Sequence, residues 1–261
     1  MESLFRMMVP VAMVLSLVSL IEQVAPRHRV PLRERFPGIV YLPILPILVM
    51  LAGLPLSHLW QMLGVRPLFS LRDLHPAVGL VAALLILDFL RYVEHRLEHR
   101  LWWPVHSLHH APASVHASSV LAHPLIAIPE FFVIAVPLSF LDIGVAGYFW
   151  LTLAVIFQDF VIHSPLSVHL GPLRRLIVDN RFHRIHHSLE ERHFGKNFGL
   201  FFTIWDQLFG TAYFPAKDEW PDTGIEGVEM PRTFSGILLH PLRQLRSNKS
   251  DVPLRSHFKK I

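Results

Sequence analysis

The chain has 261 residues, 52% of them hydrophobic, with a mean hydropathy of +0.40, a formal charge of +4 and no cysteine. That composition excludes an ordinary water-soluble domain, and the missing thiols exclude disulfides, thiolate metal sites and iron–sulfur clusters. The basic residues flank apolar runs instead of lining a helix interleaved with aromatics, and no GxGxxG or GxxxxGK[ST] element occurs. Binding of nucleic acid, dinucleotide or nucleoside triphosphate is therefore not expected.

A bilayer core about 30 Å thick requires roughly 20 apolar residues per helix. Five runs approach that length: Met7 to Ile21, Ile39 to Leu56, Leu74 to Leu90, Pro124 to Leu141 and Gly144 to Ile162. They predict an all-α integral membrane bundle of about four to five transmembrane helices. The first run reads as an anchor, because Gln23 to Pro26 offers no small-x-small cleavage site. The second contains Pro43, Pro46 and Pro55, each of which removes a backbone donor, so a re-entrant pair of short helices is its alternative.

Charge sets the expected orientation. Arg27, Arg29, Arg33 and Arg35 lie between the first two runs, and 14 Lys and Arg residues follow the fifth. Positive residues stay cytoplasmic, which predicts an N-out, C-in chain with the ends of the third and fifth runs on the cytoplasmic side. Residues 1–73 then form membrane anchor helices, 74–215 a catalytic unit, and 216–261 a cytoplasmic or interfacial tail. The tail's Pro221, Pro231 and Pro241 and its terminal Arg and Lys suit contact with anionic lipid.

Histidines concentrate on that same face. His95 and His99 are four apart at the end of the third run and share one helical face. His106, His109 and His110 follow an i, i+3, i+4 pattern opened by Pro104, and His183, His186 and His187 repeat it. His163 ends the fifth run. Isolated His28, His58, His75, His169, His240 and His257 read as interfacial polar residues. Imidazole binds metal when neutral, which its reference pKa near 6.5 permits at pH 7. Nine imidazoles exceed the roughly four ligands that close one zinc site, so two metals are expected. Two divalent ions with neutral ligands leave a charge of about +4 to be balanced by nearby carboxylates. Asp88 and Asp159, seven residues before His95 and four before His163, lie at helical offsets that suit this role. Glu94 and Glu98 read as solvated or paired with Arg91 and Arg96.

In order, Asp88 to His99 spells D-x-x-x-Y-x-x-H-x-x-x-H, His106 to His110 and His183 to His187 each spell HxxHH, His163 lies between them, and the stretch closes with Asn197-Phe198-Gly199 and Trp205 to Thr211 (WDQLFGT). From about Asp88 to Pro215 the chain resembles the fatty acid hydroxylase superfamily of integral-membrane oxygenases, which includes sterol desaturases. The resemblance implies two iron ions held by histidines, with zinc as a substitute in purified protein, at the cytoplasmic membrane face, and reaction with dioxygen. It also implies an O2-dependent oxidoreductase that hydroxylates or desaturates a lipid reaching the site from the bilayer. The chain departs from the family pattern after the second cluster, where no acidic residue follows and His116 stands near the usual asparagine. His116, His123 and His193 stay open between metal ligand, hydrogen-bond donor to a ligand, and pocket polar group. No His-Pro-Gly-Gly haem motif occurs, so a separate ferredoxin, cytochrome or reductase is the expected electron donor. The rival readings are a histidine-rich metal transporter, which would place its ligands at the membrane midplane, and a structural dizinc protein without oxygen chemistry.

Overall fold

A computed structural model describes residues 2–166 and 170–247, so His169, His257 and the terminal basic run lie outside it. The described chain is mostly helical, at 63%. Helices α1 (Glu2–Val24), α2 (Leu32–Tyr41) and α3 (Leu45–Met62) come first, with a turn around Pro43 between the last two. A two-residue strand β1 (Phe69–Ser70) precedes α4 (Pro76–Leu101) and α5 (Trp103–His110). The segment Pro124–Ser139 runs as a 3₁₀ turn, α6 (Ala127–Glu130), a π-helical turn Phe131–Ala135 and α7 (Val136–Ser139). Strand β2 (Leu141–Asp142), parallel to β1, then leads into α8 (Gly144–Ile162). Short helices α9 (Asn180–His186), α10 (Ile204–Leu208), α11 (Phe234–Leu238) and α12 (His240–Ser247) complete the described chain.

Among the described residues three helical stretches are long and apolar enough to cross a membrane: Leu32–Met62, which joins α2 and α3, then α4 and α8. Only 11%, 28% and 22% of their most apolar windows is buried within the protein, so most of their apolar surface must face something other than water. The first and fourth expected runs are helical, with apolar stretches Val9–Val24 and Pro124–Ser139 that fall short of the length needed to span. In the fourth, Pro129 and Pro137 each lack a backbone donor, and the helix accommodates them by widening into the π turn.

One apolar cluster joins Val14 and Val18 of α1, Leu45 of α3, Leu108 of α5, Phe160 of α8 and Ile237 of α11. The N-terminal helices are thus packed into the same core as the histidine-bearing elements. A buried ion pair reinforces this: Arg35 donates to Glu22, whose other oxygen accepts from the Ala117 N–H at 2.8 Å. Gly38 lets α2 press on the same loop, since a Cβ there would lie 1.5 Å from the Ser118 carbonyl oxygen. The segment after the second histidine cluster is therefore clamped from the N-terminal side.

Asp88 has a different role from the one expected. Fully buried on α4, its carboxylate accepts from the N–H groups of Phe201 (2.8 Å) and Phe202 (3.0 Å) and from Trp205 Nε1 (2.9 Å). It latches the loop after the third histidine cluster onto α4, and none of its hydrogen bonds goes to a histidine. Asp88→Ala leaves three buried donors without an acceptor, a cost of about 3 kcal/mol or more. We expect the melting temperature of the purified protein in mild detergent to fall by roughly 6–12 °C. A melting temperature within a degree or two of wild type would contradict the latch.

Candidate metal centre

The break between α4 and α5 is where the site begins. Trp102 leaves helical geometry and Pro104 opens a new turn, so the chain turns a corner directly after His99. His95 and His99 leave the last two turns of α4 on one face. On α5, His106 and His110 share a face while His109 lies on the adjoining one, and α9 repeats this with His186 against His183 and His187. Asp179 caps α9, its Oδ1 accepting from the Phe182 N–H at 2.8 Å. His163 stands at the C-terminal end of α8, where its Nδ1 donates to the Asp159 carbonyl at 2.6 Å.

These elements bring the nine expected histidines together in two groups. His95, His99, His106, His110 and His186 form one, and His109, His163, His183 and His187 the other, with one nitrogen from each member within 4.8 Å of the others in its group. Each HxxHH segment is thus divided between the groups. In the first, Nε2 of His99 lies 3.1 Å from those of His186 and His110, and His110 lies 3.2 Å from His106. In the second, His163 lies 3.1 Å from His109 and 3.0 Å from His183, and His187 lies 3.1 Å from His183.

Whether a metal fits can be judged from the protons. His95 Nδ1 donates to Phe198 O (3.0 Å), His186 Nδ1 to Lys196 O (2.9 Å) and His163 Nδ1 to Asp159 O, and a carbonyl can only accept. In the neutral imidazole the inward Nε2 is then a bare lone pair. Burial, above all, holds His109, His110, His183, His186 and His187 well below the usual histidine range and His106 at about 3, so neutrality is the expected state. His95 Nε2 is buried with no hydrogen-bond partner among the described residues. The inward lone pairs of His163 and His186 lie 3.0–3.1 Å from neighbouring Nε2 atoms, and a cation among the rings would satisfy each group together. Two nitrogens bound at about 2.1 Å and roughly at right angles to each other are about 3 Å apart, which matches these separations.

Glu98, read from the sequence as a solvated or paired charge, is buried and its Oε2 accepts from His106 Nδ1 at 2.8 Å. It orients that ring as the carbonyls orient those of His95, His163 and His186, and places a carboxyl group beside the first group. The signal was present in the sequence: Glu98 sits three residues after His95 on the face that carries the ligands. Asp159 stays beside the second group, its carboxylate 3.4 Å from His163 Nδ1.

The three open histidines lie outside both groups. His116 Nδ1 pairs with Ser118 Oγ at 2.9 Å. His123 accepts from the Leu125 N–H (3.1 Å) and reaches the Leu238 carbonyl (3.2 Å). His193 bridges Ser188 (2.8 Å) and Glu219 (3.1 Å). Each tethers a loop. His240, read as interfacial, is buried against Ser107 of α5 at 2.9 Å.

The closing motifs support the cage from behind. Asn197, at φ +61°, donates from its amide to the carbonyls of Phe182 and Tyr213, both at 2.8 Å. Phe198 packs edge-on against His95, His99 and His186. Asp206 accepts from the N–H groups of Phe198 (2.9 Å) and Gly199 (2.8 Å) and from the Thr211 hydroxyl (2.6 Å). A Cβ at Gly199 would lie 2.7 Å from the Phe202 carbonyl, which requires glycine there.

A cavity of about 200 Å³ opens onto both groups, lined by His95, His106, His109, His163 and His183 and walled by apolar side chains such as Val105, Val120, Ile126 and Val155. Loss of the Glu98 carboxylate should weaken metal retention without emptying the cage. In chelator competition, Glu98→Ala should hold metal roughly 10–100-fold less tightly than wild type, and Glu98→Gln, which still accepts a hydrogen bond, should fall between them. Equal retention in all three would contradict the positioning role.

The comparisons agree with this geometry. The fatty acid hydroxylase family model matches residues 80–211. Ornithine lipid hydroxylase OlsE of Rhizobium tropici is 31% identical over 170 residues, covering 63% of this chain and 50% of that protein. Alkylglycerol monooxygenase of Caenorhabditis elegans is 32% identical over 163 residues, covering 58% and 30%, and that of Homo sapiens 29% over 140 residues, covering 53% and 31%. The chain thus spans half or less of the length of these relatives. No solved structure matches it significantly. With the family match reaching from the second turn of α4 to the threonine that closes the WDQLFGT motif, the chain belongs to the fatty acid hydroxylase family.

Proposed function

We propose that the chain is a membrane-bound di-iron oxygenase that hydroxylates a lipid, with residues 74–215 as its catalytic unit and the remainder as anchor and tail. The observation that carries this reading is the paired histidine cage opening on an apolar-walled cavity beside helices apolar enough to span a bilayer. The nine histidines are its metal ligands. Bound iron would supply open coordination positions where dioxygen is reduced and one oxygen atom is delivered to a C–H bond. The overall balance is RH + O2 + 2 electrons + 2 protons giving ROH + H2O. Desaturation of the same substrate would remove two hydrogens instead. The relatives named as a hydroxylase and a monooxygenase favour oxygen insertion.

The protein's own contribution is positional. The Nδ1 tethers of His95, His106, His163 and His186 fix those rings before metal arrives, which reduces the ordering cost of binding. Val105, Val120, Ala122, Ile126, Val155 and Leu200 offer an alkyl chain an apolar wall and limit water at the reacting carbon. Phe198 closes the side of the first group away from α5. No side chain is required as a general base. Electrons come from a ferredoxin, cytochrome or reductase docking on a basic cytoplasmic face, a placement that rests on the Arg and Lys asymmetry of the sequence.

Lipid extracts from cells producing the protein should contain a species heavier by one oxygen atom than its precursor, absent from cells producing His183→Ala at equal abundance. Unchanged lipid profiles across all classes, in cells supplied with iron and a compatible reductase, would contradict the function.

A further inference from the structure

The stripe of α4 that carries His95 also carries Arg91, Glu94 and Glu98, at spacings of three and four that aim them at the same cavity. Arg91 donates from each terminal nitrogen, to Glu94 Oε2 at 3.0 Å and to Glu130 Oε1 at 2.8 Å, while its Nε meets no acceptor among the described residues. Glu98 is engaged by His106. Glu94 is only half engaged. It is 3% exposed, it lines the cavity, and its Oε1 meets no hydrogen-bond donor among the described residues. Such an oxygen, left unpaired in a buried site, is destabilising, and an ionisable side chain within an apolar span is costlier still. Neither the fold latch at Asp88 nor the ring tether at Glu98 accounts for it.

The surroundings indicate what would satisfy it. The cavity wall includes the carboxylates of Glu94, Glu98 and Asp159 against the single guanidinium of Arg91, so it offers acceptors and wants donors. The opposite wall is apolar. A ligand matching both has an alkyl portion and, close to it, a hydroxyl or amine. A bare alkyl chain would leave Glu94 unpaired.

We propose that Glu94, held in place by Arg91, is a specificity-determining residue that accepts a hydrogen bond from a hydroxyl or amine on the lipid substrate. The inference rests on the lipid-oxygenase reading and adds a constraint on position. The cavity's 200 Å³ equals about seven waters of liquid volume. A donor seated on Glu94 therefore lies only a few bonds from the carbon presented to the histidine cage, and oxidation occurs near the polar end of the lipid and not along its distal tail.

The test is equilibrium binding, without reductant, to metal-loaded protein in mild detergent, read by native mass spectrometry. The probes share one chain length: 1-O-hexadecylglycerol, its bis-O-methyl ether, and hexadecylamine. Wild type should bind the alcohol, the amine or both roughly tenfold or more tighter than the capped ether, and the tighter of the two identifies the donor. Glu94→Leu should lose that preference while binding the capped ether as wild type does and keeping its metal content. Glu94→Gln, which retains an acceptor oxygen, should keep part of the preference if the ligand is the alcohol. A preference that survives in metal-replete Glu94→Leu, or is missing from wild type, overturns the role of Glu94 and leaves the lipid reading standing. Failure of wild type to bind any of the three overturns both.

Discussion

Nine imidazole nitrogens converge in a space from which water and protein donors are largely excluded, and the architecture follows from that constraint. Each ring has one nitrogen that can hold a proton and one that cannot hold it at the same time in the neutral form. Where a carbonyl fixes the proton on the outer nitrogen, as at His163 and His186, the inner nitrogen is left as a lone pair about 3 Å from the Nε2 of a neighbouring ring. A cation among the rings would satisfy every such lone pair at once, and the residues of each group fit one.

What surrounds the cage serves to hold it in this conformation. The corner after His99 turns α5 back over the end of α4, so that one HxxHH segment reaches both groups. Asp88 and Asp206 pin the loop that carries Phe198 against the rings. Glu22, Arg35 and Gly38 fix the segment that follows His110, which explains why α1 and α2 belong to the core instead of acting as a detached anchor. The buried polar contacts are costly to assemble in apolar surroundings, and they are repaid jointly once every partner is present.

The gathering of the nine histidines was legible in the sequence because their spacing is local. Offsets of three and four in a helix translate directly into a shared face, and nine imidazoles on such offsets leave few alternatives. The helical class and the apolar runs were legible for the same reason. What could not be read was contact between distant segments. Asp88 stands at a ligand-facing offset from His95, yet its partners lie more than a hundred residues away in the 201–205 loop. Glu98 alternates with basic residues and so resembled a solvated helix surface, and only the position of α5 shows His106 above it. His116, His123 and His193 carried the right chemistry without a periodic context. Each holds a loop, and His123 also lines the cavity beside the two groups, placements that a sequence pattern does not encode. The fourth apolar run was long enough to span, but its prolines favoured a π turn and a shorter helix.

The most direct test of the central claim is the metal content of protein purified in mild detergent from iron-replete cells, measured beside His186→Ala. The cage predicts about two iron ions per chain in the wild type and a clear loss in the variant, since His186 belongs to the group of five. Absence of stoichiometric metal from folded wild-type protein would contradict it.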